Sequence, residues 1–365
     1  MPGTSIAAVG DHFIVGLRPS PVLHGRDRAL LEDLRPAGVI LYKSNFRHDL
    51  PYEGWLEVHA RLIDDIRRAA GRPRMFIAID HEGGRVCRTP PPITRFGYAA
   101  HWSQNATEVG AAIGRELASL GINLNFAPVL DIHTNPANPV IGERSFGTTA
   151  RDVIAAALPF VRAMQAEGIT ACGKHFPGHG DTNIDSHFGL PTQSIDLESL
   201  LAREVEPFAA AIDDGIGMLM TSHILFPDID PDVPVTLSRR FLTDVLRDRL
   251  GFGGVVVSDD IGMGAMSGFF DAPTAAVRFL AAGADMLMVC NHFTDSDRAR
   301  DFAKAIVEAI EEGRLPESLI ERSRNRIRDL LDRTAMHDVG MLPKAVFRTH
   351  AEAGALSEVA TVEVV

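Results

Sequence analysis

Short apolar runs alternate along the chain with longer stretches in which apolar residues recur every three to four positions. The short runs, rich in Val, Ile and Leu, predict strands at 12–17, 38–42, 75–80, 123–129, 170–174, 218–222, 255–259 and 284–290. The longer stretches predict helices at 57–70, 104–120, 151–167, 198–213, 239–250, 273–282, 297–312 and 317–333. Strands that alternate with helices in this way predict the α/β class and a single (β/α)₈ barrel of the TIM type.

The domain organisation follows from what interrupts this pattern. The first predicted strand is followed by GLRP at 16–19, without the GxGxxG turn that an open dinucleotide-binding sheet needs. No linker rich in Pro, Gly or Ser divides the 365 residues. We therefore predict one barrel domain over 1–342. The weak pattern over 343–365 predicts a C-terminal tail that packs on the barrel or frays.

Composition excludes several classes of partner. The formal net charge is −12, so attraction to nucleic acid is not expected. No apolar run is long enough to span a bilayer, and the N-terminus lacks the pattern of a secretory signal. A cytoplasmic location without a membrane partner is therefore expected. The three cysteines are too far apart in the sequence for a metal knuckle or a disulfide framework. The sequence leaves the oligomeric state open.

Polar residues follow the predicted strands repeatedly, at the barrel end where chemistry occurs in this architecture. Asp80 ends the third strand, the motif KHFPGHGDT at 174–182 follows the fifth, and Asp259 ends the seventh. Taken singly, Asp80 could cap a turn and DSH at 185–187 could be a surface loop. Asp260 is most simply a helix N-cap or a solvated neighbour. The recurrence at several strand ends favours one shared site.

The residue types suit a polyhydroxylated substrate better than a metal. His175 and His179 are separated by Pro and Gly, which prevents a helical zinc-binding pair. Asp259 suits a nucleophile that attacks an anomeric carbon, and His187 suits the acid and base that such a reaction needs. The hydrogen-bonding partners of sugar hydroxyl and carbonyl oxygens would be Asp80, Arg88, Arg144 and Lys174, while Asp185 could orient His187.

These motifs together resemble the glycoside hydrolase family 3 β-N-acetylglucosaminidases. The resemblance rests on the segments 174–182 and 185–187, and on segments in the same order at 80–88, 125–131, 143–147 and 251–260. It covers residues from about 10 to 335. Two departures lie near the sugar-binding loop, namely His81, where the family usually has Gln or Met, and the Pro-rich stretch 89–93. Both bear on substrate selectivity.

The resemblance implies a role for each matching residue. Asp259 is expected to be the nucleophile, and His187 with Asp185 the acid/base dyad. Sugar binding is expected at Asp80, Arg88, Arg144, Lys174 and His175, with no cofactor and no metal. The implied reaction is retaining hydrolysis of terminal β-linked N-acetylglucosamine (GlcNAc). In the branch that recycles peptidoglycan, the substrate is GlcNAc linked to 1,6-anhydro-N-acetylmuramic acid (anhydroMurNAc), with or without its peptide.

Three alternatives remain open. The first is a phosphorylase of the same family, which transfers the sugar to phosphate instead of water. The second is a metal-dependent barrel hydrolase, which the lack of an HxH motif after the first strand disfavours. The third is a sugar-binding barrel without activity, which the intact candidate nucleophile and acid disfavour.

Overall fold

The eight predicted strands form one closed barrel in which every neighbouring pair is parallel. The computed structural model describes residues 5–186, 188–266, 268–269, 273–291 and 295–355. The strands are β1 (Phe13–Gly16), β2 (Gly38–Leu41), β3 (Phe76–Ile79), β4 (Leu124–Asn125), β5 (Thr170–Phe176), β6 (Met218–Thr221), β7 (Val255–Asp260) and β8 (Met286–Val289). The prediction of an α/β barrel of the TIM type is confirmed.

Helices connect the strands of the barrel. The α-helices are α1 (Gly25–Leu34), α2 (Tyr52–Ala70), α3 (Ala106–Ser119), α4 (Ala150–Ala166), α5 (Leu197–Ala202), α6 (Glu206–Asp213), α7 (Thr274–Ala281), α8 (Arg298–Glu311), α9 (Glu317–Arg333) and α10 (Lys344–Ala355). A π-helix spans Arg240–Arg249. Helices α1 to α7 and this π-helix connect consecutive strands, and α8 to α10 follow the last strand. The short 3₁₀ helices are Ile6–His12, Lys43–Asn45, Ala99–His101, Gly142–Arg144, Val235–Leu237 and Gly264–Met266.

Two predicted elements are broken or shortened in the structure, and one helix between strands was not predicted. The predicted helix at 198–213 is two helices, because Pro207 lacks the amide hydrogen that a continuous helix would donate to the Arg203 carbonyl. The predicted strand at 123–129 is confined to β4, since Pro128 cannot donate to a sheet ladder. Helix α1 was not predicted, in keeping with its weakly apolar sequence.

Alternate residues of each strand face two separate apolar layers. On β1, Ile14 belongs to the cluster inside the barrel, while Phe13 and Val15 pack outward against the helices. Leu330 and Leu331 of α9 join the inner cluster, so this helix covers the end of the barrel where the strands begin. The barrel is therefore open towards the C-terminal ends of its strands.

The predicted C-terminal tail begins with an ordered helix. Helix α10 packs on the barrel through Phe347, whose ring lies 5.5 Å from that of Tyr52, and through His350, whose Nδ1 lies 2.7 Å from Glu116 Oε1. Residues 356–365 of the tail lie outside the described residues. The division between 1–342 and 343–365 stays a prediction. No described helix is both long and apolar enough to cross a membrane, and the cytoplasmic location also stays a prediction.

Candidate active site

A cavity of about 510 Å³ opens at the C-terminal ends of the strands. Every predicted site residue that the structure describes contributes to its wall, namely Asp80, Arg88, Arg144, Lys174, His175, Asp185 and Asp259. His187, the predicted acid/base, lies outside the described residues. The strand ends thus bring the predicted residues together in one place, while the chemical role of each residue stays a prediction.

Lys174 lies at the centre of a charge network on the cavity wall. Its Nζ is 2.8 Å from Asp80 Oδ1 and 2.5 Å from Glu82 Oε1. Arg144 donates two hydrogen bonds to Glu82, from Nε to Oε2 and from Nη2 to Oε1, both at 2.8 Å. Arg88 Nη2 lies 4.0 Å from Asp80 Oδ2. Asp80 is only partly buried and Glu82 is buried, and both line the cavity.

Glu82 and Lys174 are held in the charged state by their neighbours in this network. Burial would raise the pKa of Glu82, but Arg144 and Lys174 hold that pKa well below its ordinary value. Burial would lower the pKa of Lys174, but Asp80 and Glu82 raise it above its ordinary value. The wall therefore presents fixed ionised groups, which make the stronger class of hydrogen bond to hydroxyl groups.

Asp259 lies where strand β7 becomes irregular. The register of β7 against β8 shifts between Val257 and Asp260, so the strand is not paired regularly at Asp259. The Asp260 amide donates to Asp259 Oδ1 at 2.8 Å. Burial raises the pKa of Asp259, but His175, His223 and this amide lower it more, so it lies below its ordinary value. Asp259 is therefore ionised at neutral pH, as a nucleophile must be.

Asp260 is buried, and its interpretation as a helix N-cap or solvated neighbour is wrong. Its Oδ1 accepts hydrogen bonds from the amides of Gly262 at 3.0 Å and Cys290 at 3.3 Å. Its Oδ2 is buried and has no hydrogen-bond partner among the described residues. Burial, together with the neighbouring Asp259, raises the pKa of Asp260 to about 7 despite the two amides. Of the two adjacent carboxyl groups, Asp259 therefore carries the charge more readily.

Asp131 orients His175 on the cavity wall. Asp131 Oδ2 lies 2.7 Å from His175 Nδ1, and Oδ1 accepts the amides of His175 at 3.1 Å and His179 at 2.8 Å. Burial would raise the pKa of Asp131, but His175 lowers it below its ordinary value. A fully buried carboxylate with these contacts fixes both the imidazole and the turn that follows strand β5.

His179 connects that turn to the loop that carries the predicted acid/base dyad. Its Nδ1 lies 2.7 Å from Thr182 Oγ1, and its Nε2 lies 3.1 Å from Ser186 Oγ. Burial lowers the pKa of His179 to about 4, so the ring is neutral at pH 7. Ser186, between Asp185 and His187 in sequence, is thereby attached to the barrel.

Sequence reasoning did not assign a role to Glu82 or Asp131, although both lie in the segments that carry the resemblance. Glu82 comes two residues after Asp80, and this spacing is the signal that could have placed both on one wall. His81, between them, is not among the residues that line the cavity. Burial lowers its pKa to about 4. His81, which departs from the family pattern, is therefore a core residue that does not contact the cavity.

Within the described part of the chain, no group of three or more His, Cys, Asp and Glu side chains is placed to hold a metal ion. The cation partners of the cavity carboxylates are instead Lys174, Arg144 and Arg88. The arrangement can bind hydroxyl groups on one wall and present a carboxylate nucleophile on another.

Comparison with known proteins identifies the family. Residues 21–330 match the sequence profile of the "Glycosyl hydrolase family 3 N terminal domain". A beta-hexosaminidase from Methylococcus capsulatus is 37% identical over 279 residues, which cover 74% of this chain and 80% of that protein. Beta-hexosaminidase A from Pseudoalteromonas piscicida is 37% identical over 280 residues, and this chain spans only 47% of its length.

Solved structures agree in fold over nearly the whole chain. A glycoside hydrolase family 3 beta-N-acetylglucosaminidase from Paenibacillus has 34% sequence identity and a TM-score of 0.86, with 97% of this chain and 68% of that chain covered. NagZ from Neisseria gonorrhoeae in complex with N-trifluoroacetyl-D-glucosamine has 28% identity and a TM-score of 0.76, with 98% and 100% covered.

Proposed function

The chain belongs to glycosyl hydrolase family 3, and from this premise we propose that it is a retaining exo-β-N-acetylglucosaminidase. The enzyme class predicted from the sequence, a β-N-acetylhexosaminidase of this family, is confirmed by relatives named beta-hexosaminidase. The substrate class is therefore the amino sugars. We propose as substrate GlcNAc-anhydroMurNAc with or without its peptide, in cell-wall recycling. Similarity to NagZ over 98% of this chain supports that choice.

The observation that carries the proposal is the position of Asp259. An ionised carboxylate at the end of β7 shares one cavity with the charged wall formed by Asp80, Glu82, Arg144 and Lys174. The wall would hold the hydroxyl groups of the terminal sugar, and Asp259 would face its anomeric carbon. Preorganised charges of this kind reorient little during the reaction, which lowers the barrier.

The first step forms a covalent glycosyl-enzyme. Asp259 attacks the anomeric carbon and forms an ester bond as the bond from that carbon to the leaving oxygen breaks. His187, supported by Asp185, gives its proton to the leaving oxygen. Because burial raises the pKa of Asp260 to about 7, the residue beside the nucleophile is only partly ionised at neutral pH.

The second step reverses the roles. A water molecule attacks the anomeric carbon, His187 takes the proton of that water, and Asp259 leaves as a carboxylate. Two displacements at one carbon retain the β configuration in the product. No cofactor enters the balance of either step.

Trapping of the intermediate tests the nucleophile. GlcNAc fluoride that carries a second fluorine at C5 reacts slowly, because fluorine destabilises the positive charge that develops in both steps. We expect intact-mass spectrometry to show one added sugar and peptide mapping to place it on Asp259. Wild-type enzyme that turns this compound over without an adduct, or with the adduct on another residue, contradicts the proposal.

A product assay separates the remaining alternatives. GlcNAc-anhydroMurNAc is incubated with the enzyme, with and without phosphate and with and without a chelator. We expect free GlcNAc in every arm. GlcNAc-1-phosphate formed only with phosphate would identify the phosphorylase, and loss of activity with the chelator would identify the metal-dependent hydrolase. A barrel that only binds sugar would release no product at all.

A further inference from the structure

Phe188 is an aromatic side chain that lines the cavity and is nevertheless exposed over 86% of its surface. It lies on the same loop as Asp185. The amides of Phe188 and Gly189 both donate to the Asp185 carbonyl, at 3.0 and 3.2 Å, so a turn sets the aromatic residue beside this part of the proposed dyad. An exposed Phe is unremarkable by itself, but one at the rim of a polar cavity is available to a bound molecule.

The loop that carries Phe188 is tied to the barrel through two contacts of Ser186. The Ala265 amide, in the segment after strand β7, donates to the Ser186 carbonyl at 3.0 Å. Ser186 Oγ in turn contacts His179 Nε2. Behind this turn, Gly180 approaches the Ile132 carbonyl so closely that a Cβ atom would overlap it. The turn that precedes Phe188 is therefore held beside the segment that follows strand β7.

The direction of the proposed reaction places the leaving group at this rim. The terminal sugar would occupy the cavity between Asp259 and the charged wall. The proton donor on the 185–187 loop must reach the oxygen on the other side of the bond that breaks. Whatever is attached to that oxygen must then extend past the 185–187 loop, towards the mouth of the cavity. Phe188 is the next residue along the chain.

We propose that the ring of Phe188 is a stacking surface for the sugar ring of the leaving group, and that it makes the enzyme select disaccharide over small aglycones. This inference rests on the proposed function and specifies its substrate. The C–H face of a pyranose is apolar and carries partial positive charge, which complements the negative face of an aromatic ring. Stacking on an exposed ring also removes apolar surface from water on both partners.

The test compares a substrate with a leaving sugar and a substrate without one. The first is GlcNAc-anhydroMurNAc and the second is GlcNAc β-fluoride, whose leaving group cannot stack. For Phe188→Ala we expect kcat/KM to fall about tenfold on the disaccharide, equivalent to about 1.4 kcal/mol, and to change less than about twofold on the fluoride. Phe188→Trp should keep kcat/KM on the disaccharide near the wild-type value. Phe188→Leu should lower it about as much as Phe188→Ala does.

Ile184 supplies the matched control. It lies on the same segment, is 49% exposed and does not appear among the residues that line the cavity. Ile184→Ala should leave both substrates unchanged. Equal losses on both substrates for Phe188→Ala, or no loss on the disaccharide, would overturn the stacking surface. Wild-type enzyme that hydrolyses the fluoride but not the disaccharide would overturn it too. Wild-type enzyme that hydrolyses neither substrate would overturn the proposed function itself, and the inference with it.

Discussion

The two ends of the barrel both bury charged side chains, but they use them differently. At the end where the strands begin, Asp285 is fully buried and its oxygens are occupied by protein donors. Oδ1 accepts from Arg326 at 2.7 and 3.0 Å, while Oδ2 accepts from Arg247 at 2.5 Å and from the Val256 amide at 2.8 Å. Each donor comes from a different element, so the carboxylate joins the π-helix, β7 and α9 to the start of β8.

At the opposite end, the carboxylates face a cavity. Asp80 has one oxygen 2.8 Å from Lys174 and the other 4.0 Å from Arg88, and Asp259 accepts the amide of its neighbour. These contacts orient the carboxylates without enclosing them. Asp285 is thus a structural charge whose oxygens both have protein donors, whereas Asp80 and Asp259 line the cavity and keep part of their surface available to substrate. Removing a charge at the open end should therefore lower activity, whereas removing one at the closed end should lower the free energy of unfolding.

The largest effect is expected at the open end. Asp259→Gly should lower kcat/KM on 4-nitrophenyl β-GlcNAc by about 10⁴-fold or more, because the covalent step loses its nucleophile. Added azide should restore part of the rate and yield the α-glycosyl azide, since a small anion can enter the vacated space. The melting temperature should change by only a few degrees. A variant that keeps its activity, or that gives a β-azide, would remove Asp259 from the nucleophile role.

The next effect is expected at the closed end. Asp285→Asn should lower the free energy of unfolding by about 3 kcal/mol, because an amide cannot neutralise the two arginine side chains that the carboxylate holds. Denaturant titration measures the loss, and activity per folded molecule should stay within about twofold of wild type. An Asp285→Asn variant that keeps its stability but loses its activity would contradict the structural role of Asp285.

The smallest effect concerns a buried carboxyl group near the open end. Burial raises the pKa of Glu204 to about 7, even though Arg203 Nε contacts its Oε1 at 2.7 Å. Folding thus favours the protonated form. The stability that Glu204 contributes is full below its ordinary pKa of 4.5 and is lost as pH rises through about 7.

Glu204→Gln should consequently flatten the fall of stability with pH. Near pH 5 the variant and the wild type should unfold at similar denaturant concentrations, and near pH 8 the variant should be more stable by about 2 kcal/mol. Arg203→Gln is the matched control, because it should leave the wild-type slope in place or increase it. A Glu204→Gln variant that is less stable at every pH would show that the charged carboxylate is needed in the fold.

The periodicity of the chain was sufficient to predict the barrel. Alternation of short apolar runs with amphipathic segments depends on neighbours within a few positions, and the strand order follows from the parallel connections. The strand-end position of Asp80, Lys174 and Asp259 was also predictable, because the ends of parallel strands meet at one rim. The break between α5 and α6 was predictable in principle from Pro207, but the apolar spacing on both sides concealed it.

Only the tertiary structure decided which side chains form ion pairs and which carboxyl groups are ionised. Lys174 meets Asp80 across 94 positions of sequence, and Asp285 meets Arg247 across 38. Asp259 and Asp260 are adjacent and chemically identical in the sequence, yet one has a lowered pKa and the other a pKa of about 7. Local pattern determines which residues reach the rim. Ionisation depends on burial and on charges brought from distant strands, so the properties that make one carboxylate a nucleophile arise only when the barrel closes.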